Sequence, residues 1–360
     1  MTRTKHNAKE LAKVLSFARF LIWCVLHLHI EGTLDAELLL QLAKKYKVKL
    51  KWKTVAQIRA AYQFSSLDEF LALYYQGCNV LRDYDDFYTL TLRYLTRAAR
   101  ANVRHVEMFV DPQTHTNRGI ELAMVIEAMA DAALEAQRQF GMTTLLIPCL
   151  LRDHPIESGM DTVESILDIR QRDKRFKNWI VALGLDSSEA NYPPKLFKRH
   201  FQRAKEAGLL LTAHAGEEGP PAYIRQAMKV LGVNRLDHAK RCLEDRKLVA
   251  ELRRTQMPIT NCPWSSLRLG VVNKLADYRL DTFLDEGLCS SIHTDDPAYF
   301  GAYEWQTLEA CVETFGLTMD DLFQLSINSI VGSFASKARK IELKAEAYAG
   351  AARGFQHIQL

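Results

Sequence analysis

The stretch Leu209-Leu-Leu-Thr-Ala-His214 lies between two segments with apolar residues at helical spacing, Pro194–Ala207 and Pro220–Leu231. The stretch has no alternation of apolar and polar residues, which is typical of a strand buried on both faces of a parallel sheet. Seven further runs of four to nine residues have the same character: Leu21–His29, Arg104–Val110, Thr144–Leu151, Trp179–Leu185, Arg235–His238, Met257–Cys262 and Leu288–Thr294. Eight such strands separated by helices predict an α/β fold, a (β/α)8 TIM-type barrel.

The chain shows no low-complexity stretch, no Pro/Gly/Ser-rich linker and no fixed-period repeat, so we expect one domain over residues 1–360. Residues 35–100 are helical in pattern and longer than one crossover needs. They predict a helical insertion after the first strand that forms a lid over the barrel mouth. Residues from about 335 to 360 are expected to form a C-terminal tail, in which the basic segment Ser336–Lys344 is a solvated helix face.

The composition is that of an ordinary globular protein, with 48% apolar residues, 25% charged residues and a net charge of +4. These values exclude disorder and a small disulfide scaffold, and so weak a charge argues against nucleic-acid binding. The seven cysteines are scattered, odd in number and without a Cys-x-x-Cys pair. This pattern argues against a disulfide framework or a cysteine zinc site, and we expect a protein of the reducing cytoplasm.

The N-terminal region contains an apolar run, Phe20–Leu26, that is far shorter than the ~20 residues needed to cross a bilayer. Because basic residues precede it, the run mimics a secretory signal peptide, but no small-residue cleavage site follows. We favour a short amphipathic helix followed by a buried first strand. We expect no membrane partner, and the sequence leaves the oligomeric state open.

In a (β/α)8 barrel, the residues that carry chemistry lie just beyond the carboxyl ends of the strands. Ionisable side chains occupy this position after four predicted strands: His27 and His29 after the first, His214 and Glu217 after the fifth, His238 after the sixth, and Asp295 and Asp296 after the eighth. A lone histidine there is more often a core residue, and adjacent aspartates before a proline often form a turn and helix cap. A coincidence at four strands is improbable, so we predict one shared site.

Three histidines and one carboxylate suit a divalent cation, with zinc the default and one position open for water. Zinc lowers the pKa of bound water to near neutrality and so makes hydroxide available. Binuclear barrel hydrolases usually carry a bridging carboxylate or a modified lysine on the fourth strand. Here that strand ends Gly184-Leu-Asp-Ser-Ser with no lysine, which favours one metal ion per chain. The chain contains no phosphate-binding loop, no G-x-S-x-G elbow and no dinucleotide fingerprint.

Four segments resemble the adenosine/adenine deaminase family, whose members are barrels of the metal-dependent hydrolase kind. They are His27-Leu-His-Ile-Glu-Gly-Thr-Leu, Thr212-Ala-His-Ala-Gly-Glu-Glu-Gly, Arg235-Leu-Asp-His and Thr294-Asp-Asp-Pro-Ala-Tyr-Phe-Gly. Phe109-Val-Asp-Pro-Gln-Thr-His-Thr and Gly184-Leu-Asp-Ser-Ser-Glu are similar to the adenine deaminase branch of that family. The resemblance implies hydrolysis of a purine base, adenine, to hypoxanthine and ammonia.

The resemblance also implies a role for each residue. One zinc ion would be held by His27, His29, His214 and Asp295, and the catalytic residues would be Glu217, His238 and Asp295. Glu217 would donate a proton to purine N1, and His238 would orient and deprotonate the attacking water. Asp296 would hydrogen-bond N7, and the Gly184 backbone would meet the edge of the purine. Glu31 stands where nucleoside deaminases commonly carry an aspartate near the ribose, so we expect its longer side chain to help close the sugar space.

The chain departs from the family pattern at positions that are neither ligands nor proton-transfer groups. Trp23-Cys-Val-Leu26 replaces the usual segment before the first histidine, Ala239 replaces a glycine, Ser266 an asparagine and His293 a small polar residue. These changes leave the deaminase chemistry intact and bear on the shape of the pocket. Two alternatives therefore stay open: a relative that acts on adenosine or an N6-substituted adenine, and a non-catalytic purine-binding relative.

Overall fold

The computed structural model describes residues 5–359 of the chain. Its strands are β1 (Trp23–Val25), β2 (Val103–Val110), β3 (Thr143–Leu151), β4 (Ala182–Asp186), β5 (Leu210–Ala215), β6 (Arg235–His238), β7 (Ile259–Asn261) and β8 (Ser290–Ile292). They pair in parallel in the order of the chain. The predicted (β/α)8 barrel is confirmed, and all eight strands lie within or next to the predicted runs.

The barrel closes through backbone bonds beyond the ends of β1 and β8. The His29 N–H donates to the Asp295 carbonyl at 3.1 Å, and the Asp295 N–H donates to the His27 carbonyl at 3.3 Å. The first strand ends earlier than predicted because the Leu26 N–H donates to Nδ1 of the His293 imidazole, at 3.1 Å, instead of to a neighbouring strand. His293, which departs from the family pattern, therefore fixes the backbone just before His27 and His29.

The α-helices surround the barrel and cover its two ends. They are α1 (Ala8–Ala18), α2 (Ala36–Lys45), α3 (Val55–Ala61), α4 (Leu67–Cys78), α5 (Tyr84–Arg100), α6 (Pro112–Thr116), α7 (Leu122–Phe140), α8 (Ile156–Arg172), α9 (Lys174–Trp179), α10 (Lys198–Glu206), α11 (Pro221–Gln226), α12 (Arg246–Thr255), α13 (Pro263–Arg268), α14 (Leu280–Asp285), α15 (Pro297–Phe300), α16 (Glu304–Phe315), α17 (Met319–Gly332) and α18 (Lys337–Gln359). The fourth strand was predicted to begin too early, because residues 174–179 form α9.

The segment from 35 to 100 is helical, as predicted, but its helices have two different positions. The α5 helix begins with a capping box formed by Asp83 and Asp86 and packs against α7 in the outer ring. The α4 helix instead places Phe70 and Tyr74 against the cavity at the carboxyl end of the barrel. The extra length of the segment thus supplies a wall of that cavity.

The C-terminal tail is a long helix that packs on the N-terminal one. The rings of Phe17 in α1 and Phe355 in α18 lie 4.7 Å apart, and Leu343 is buried in a cluster with Cys24 of β1. The basic segment at the start of α18 is only partly solvated, because Arg339 donates to the Arg104 carbonyl at 3.2 Å. Over residues 5–359, no helix is both long enough and apolar enough to span a membrane.

Candidate functional site

The four predicted metal ligands converge at the carboxyl end of the barrel. We call them the quartet: His27, His29, His214 and Asp295. Their ligand atoms all lie within 4.8 Å of one another, and all four side chains are buried. His27 Nε2 lies 3.0 Å from Asp295 Oδ1, and His29 Nε2 lies 3.2 Å from His214 Nε2. The structure therefore brings together residues that are separated by up to 268 positions along the chain.

The hydrogen bonds behind His27 show that this quartet suits a cation. The single proton of the Thr260 hydroxyl is directed to Asp237 Oδ1, at 2.8 Å. His27 Nδ1–H must then donate to Thr260 Oγ1, at 2.9 Å, and in the neutral imidazole this leaves the lone pair of Nε2 facing the Asp295 carboxylate. Two acceptors at this distance repel each other unless a positive charge lies between them. The donor set fits zinc, which binds imidazole nitrogen and carboxylate oxygen.

Carboxylates stand behind the other two histidines. Asp237 Oδ2 lies 3.9 Å from His214 Nδ1, and Asp186 Oδ2 lies 3.5 Å from His29 Nδ1. Neither contact is a hydrogen bond, since His214 Nδ1 and both Asp186 oxygens have no hydrogen-bond partner. The two carboxyl groups therefore lie near the quartet without fixing the orientation of either ring.

Glu217 and His238 form a pair beside the quartet. His238 Nε2 lies 3.5 Å from Glu217 Oε2 and 3.9 Å from Asp295 Oδ2. Burial, with the nearby Asp295 carboxylate, raises the pKa of Glu217 well above its ordinary value, which favours the protonated carboxyl. Burial and the neighbouring His27 lower the pKa of His238 to about 3, so its imidazole is neutral. The pair thus offers one proton donor and one proton acceptor.

The backbone at the ends of β6 and β8 is in the left-handed region, with φ of 63° at both His238 and Asp295. Ala239 also has a positive φ, 49°, which explains why the family usually carries glycine there. Such conformations cost about 1–3 kcal/mol each and cluster at functional sites. Ser266 is buried in α13, and nothing in the structure explains a serine at that position.

A cavity with an empty volume of about 390 Å³ opens above this pair and the quartet. Its lining includes Asp296, whose pKa is raised well above its ordinary value by burial. A Cβ on Gly32 would lie 2.0 Å from Asp296 Oδ1, so the glycine is needed for this carboxyl to fit. The residues that line the cavity are His29, Leu67, Phe70, Leu71, Tyr74, Tyr75, Asp111, Asp186, Ser187, His214, Glu217, His238, Leu269, Asp295 and Asp296.

The structure places the two other expected substrate residues behind the cavity lining. Gly184 packs against β3, where a Cβ would lie 2.3 Å from the Cys149 sulfur. Glu31 is fully buried, and its Oε1 accepts from His115 Nε2 at 2.8 Å and from the Asp111 N–H at 3.1 Å. Burial raises the pKa of Glu31, but the bonds from His115 and Asp111 outweigh it and hold the pKa below its ordinary value.

Several lining residues were not among the predicted site residues. Asp111 follows β2 and Asp186 ends β4, so the rule that located the histidines also points to these two carboxyls. Burial and the neighbouring Asp186 raise the pKa of Asp111 well above its ordinary value. Tyr74 and Tyr75 come from α4, within the segment that was predicted to form a lid, but no sequence signal identifies which residues of that segment face the cavity.

Comparison with known proteins gives consistent matches over most of the chain. Residues 23–349 match the family model described as adenosine deaminase. An adenine deaminase from Crocosphaera subtropica is 44% identical over 318 residues, which cover 88% of this chain and 95% of that protein. One from Hahella chejuensis is 42% identical over 320 residues, covering 89% and 94%. The crystal structure of an adenine deaminase from Arthrobacter aurescens superposes with a TM-score of 0.87 at 42% identity, covering 91% of this chain and 98% of that one.

Proposed function

Because this chain belongs to the adenosine deaminase family, we propose that it hydrolyses adenine to hypoxanthine and ammonia in purine salvage, with one zinc ion per chain. The observation that carries the proposal is the convergence of three imidazoles and a carboxylate beside the Glu217–His238 pair in one cavity. The relatives named adenine deaminase support the choice of substrate.

The zinc ion would be held by His27, His29, His214 and Asp295, whose ligand atoms meet the demand for nitrogen and carboxylate oxygen donors. When bound, zinc would lower the pKa of a water molecule to near neutrality and so make hydroxide available. The groups behind His27, Thr260 and Asp237, would keep its Nε2 lone pair directed inward.

The proton transfers would be carried by His238 and Glu217. Neutral His238 would accept a proton from the attacking water as the water oxygen bonds to C6 of adenine. Protonated Glu217 would donate to N1, because protonation there removes the aromatic resistance to addition. His238 would then pass the proton it accepted to the leaving nitrogen, and the C6 hydroxyl would return a proton to Glu217 as the C6–N6 bond breaks, which releases ammonia, leaves hypoxanthine and restores both side chains. Asp296, with its retained proton, would donate to N7.

The cluster around Glu31 supports a base without a sugar as the substrate. Glu31 accepts a hydrogen bond from the Asp111 N–H. The Tyr74 hydroxyl lies 3.4 Å from the Glu31 carboxylate and 3.3 Å from the Asp111 carboxyl, and it can donate to either. Asp111 and Tyr74 both line the cavity. Glu31 would therefore close the sugar space indirectly, by keeping these two side chains in place.

The seven buried free cysteines support a reducing compartment, the cytoplasm, as the location.

Shortening Glu31 tests this explanation of base specificity. The Glu31→Asp variant should gain measurable turnover of adenosine, because a shorter carboxylate cannot hold His115 and the Asp111 N–H at once. Ammonia release from adenosine and from adenine checks this, with wild-type protein as the reference. If Glu31→Asp still deaminates adenine but shows no turnover of adenosine, this role of Glu31 is contradicted.

A substrate comparison tests the proposed function itself. We expect adenine to be turned over faster than adenosine or N6-alkyl adenines, as followed by ultraviolet absorbance, with about one zinc per chain measured on the same sample. Preference for adenosine or an N6-substituted adenine would favour a related deaminase. Purine binding without zinc and without ammonia release would favour the non-catalytic relative.

A further inference from the structure

A buried carboxylate outside the predicted site binds the loop that carries Glu217. The side chain of Glu189, in the segment after β4, is 1% exposed. It accepts from four successive backbone N–H groups of the loop after β5: Gly216 at 2.7 Å on Oε1, and Glu217 at 3.0 Å, Glu218 at 3.0 Å and Gly219 at 2.9 Å on Oε2. Four amides directed at one carboxylate form an anion-binding nest.

The contact is closely fitted. A Cβ on Gly219 would lie 2.6 Å from Glu189 Oε1, and Gly216 has a φ of +80°, so both glycines are required by this arrangement. Arg152, which follows β3 and is fully buried, ties the same two segments from the other side. Its Nη1 donates to the His214 carbonyl at 2.7 Å, and its Nε donates to the Tyr192 carbonyl at 3.0 Å.

The Glu217 carboxyl itself has few restraints. Its Oε1 has no hydrogen-bond partner, and its Oε2 has His238 Nε2 only at 3.5 Å. With no close hydrogen bond of its own, this buried carboxyl depends on the position of its own backbone and on packing. The Glu217 N–H is one of the four that Glu189 holds.

We propose that Glu189 is a positioning residue for the deamination reaction: its carboxylate holds the loop after β5 so that the Glu217 carboxyl points at purine N1. The inference rests on the proposed function for its consequence in catalysis. The structural part stands separately, since the order of residues 216–219 depends on Glu189 whatever the substrate. Glu189 does not line the cavity; it holds the Glu217 backbone N–H, and its charge, like that of Glu218, helps to raise the pKa of the Glu217 carboxyl.

The test is Glu189→Gln, which keeps the shape of the side chain but turns one acceptor oxygen into an NH2 donor. At least one of the four N–H groups then faces a donor, and the loop must shift. A misplacement of about 1 Å can reduce turnover by 10²-fold. We expect kcat for adenine to fall about 10- to 100-fold, with KM within about threefold and with zinc content unchanged, since the substrate-binding and ligand side chains are untouched.

Glu218→Gln is the matched control, because it removes a carboxylate of the same charge from the adjacent side chain without touching the nest. We expect its kcat within about twofold of wild type. If Glu189→Gln behaves like this control, the positioning role is overturned. A fall in zinc content and thermal stability in proportion to kcat would also overturn it, since that indicates a general structural role. If Glu189→Gln does not fold, Glu189→Asp, which keeps the charge but reaches less far, replaces it.

Amide hydrogen exchange separates this inference from the proposed function. Exchange in the peptide that contains residues 216–219 should be at least about tenfold faster in Glu189→Gln than in wild type or in Glu218→Gln. Unchanged exchange overturns the inference even if the protein is an adenine deaminase. Absence of adenine turnover by wild-type protein, with exchange increased in the variant, contradicts the proposed function and leaves the structural role of Glu189 supported.

Discussion

Replacing Glu217 by Gln is expected to lower kcat for adenine by about 10²- to 10⁴-fold, the range for loss of a general acid. Glutamine keeps the size of the side chain and its place beside His238, but it cannot release a proton to purine N1. Zinc content should stay at the wild-type value, because Glu217 does not belong to the quartet of His27, His29, His214 and Asp295. Single-turnover and steady-state rates, measured with metal content on the same sample, check both expectations.

The pH dependence of this variant provides a control. The raised pKa of Glu217 means that the active, protonated form persists to higher pH than in an ordinary carboxyl and is lost as the pH rises through that pKa. Wild-type kcat/KM should therefore fall on the alkaline side, and the part of this fall that Glu217 causes should be absent in Glu217→Gln. Turnover near the wild-type rate in the variant would refute the assignment of Glu217 as the acid.

Replacing Asp295 by Ala is expected to remove both metal and activity. Asp295 supplies the one carboxylate of the quartet, at 3.0 Å from His27 Nε2, so its loss leaves three neutral imidazoles around a divalent charge. Loss of a residue that only hydrogen-bonds to a metal ligand lowers metal affinity by roughly 10- to 100-fold. We expect the zinc affinity of Asp295→Ala to fall by more than that, because a direct ligand is removed. Dialysis against a chelator, followed by metal analysis and ammonia release, measures the effect.

The neighbouring carboxyl is the matched control for this experiment. Asp296→Ala removes a buried carboxyl next in sequence, but Asp296 lies outside the quartet. This variant should retain zinc and show a raised KM for adenine, because N7 would lose its proposed hydrogen-bond donor. An Asp295→Ala protein that is fully metallated and active would show that the ligand assignment is wrong.

Much of the barrel was predictable because its strands are buried on both faces. A strand in that position is mostly apolar, so runs such as Leu209–His214 stand out without any alignment, whereas β6 carries Arg235 and Asp237 and stands out less. The boundaries were less predictable where a tertiary contact competes with the strand. The first run ends at Val25 because the imidazole of His293, 267 positions away, takes the Leu26 N–H.

The candidate site was predictable to the extent that its residues follow strands. His214 and Asp295 could be located from the topology alone, since parallel strands present their carboxyl ends on one side. Asp111 and Asp186 satisfy the same rule and were overlooked because a single carboxyl after a strand is also an ordinary cap. Tyr74 could not be found in this way, because it lies on α4, whose docking over the mouth depends on packing.

The sequence by itself determined the class of fold and the kind of chemistry. Both depend on local properties of the chain: the hydrophobic periodicity, and the ionisable residues that directly follow the apolar runs. Only the tertiary structure decided how that chemistry is held in place. The lone pair of His27 is oriented through Thr260 and Asp237, and the loop of Glu217 is held by Glu189. These contacts join separate strand ends in space, and a hydrogen bond between distant segments leaves no periodic trace in either segment.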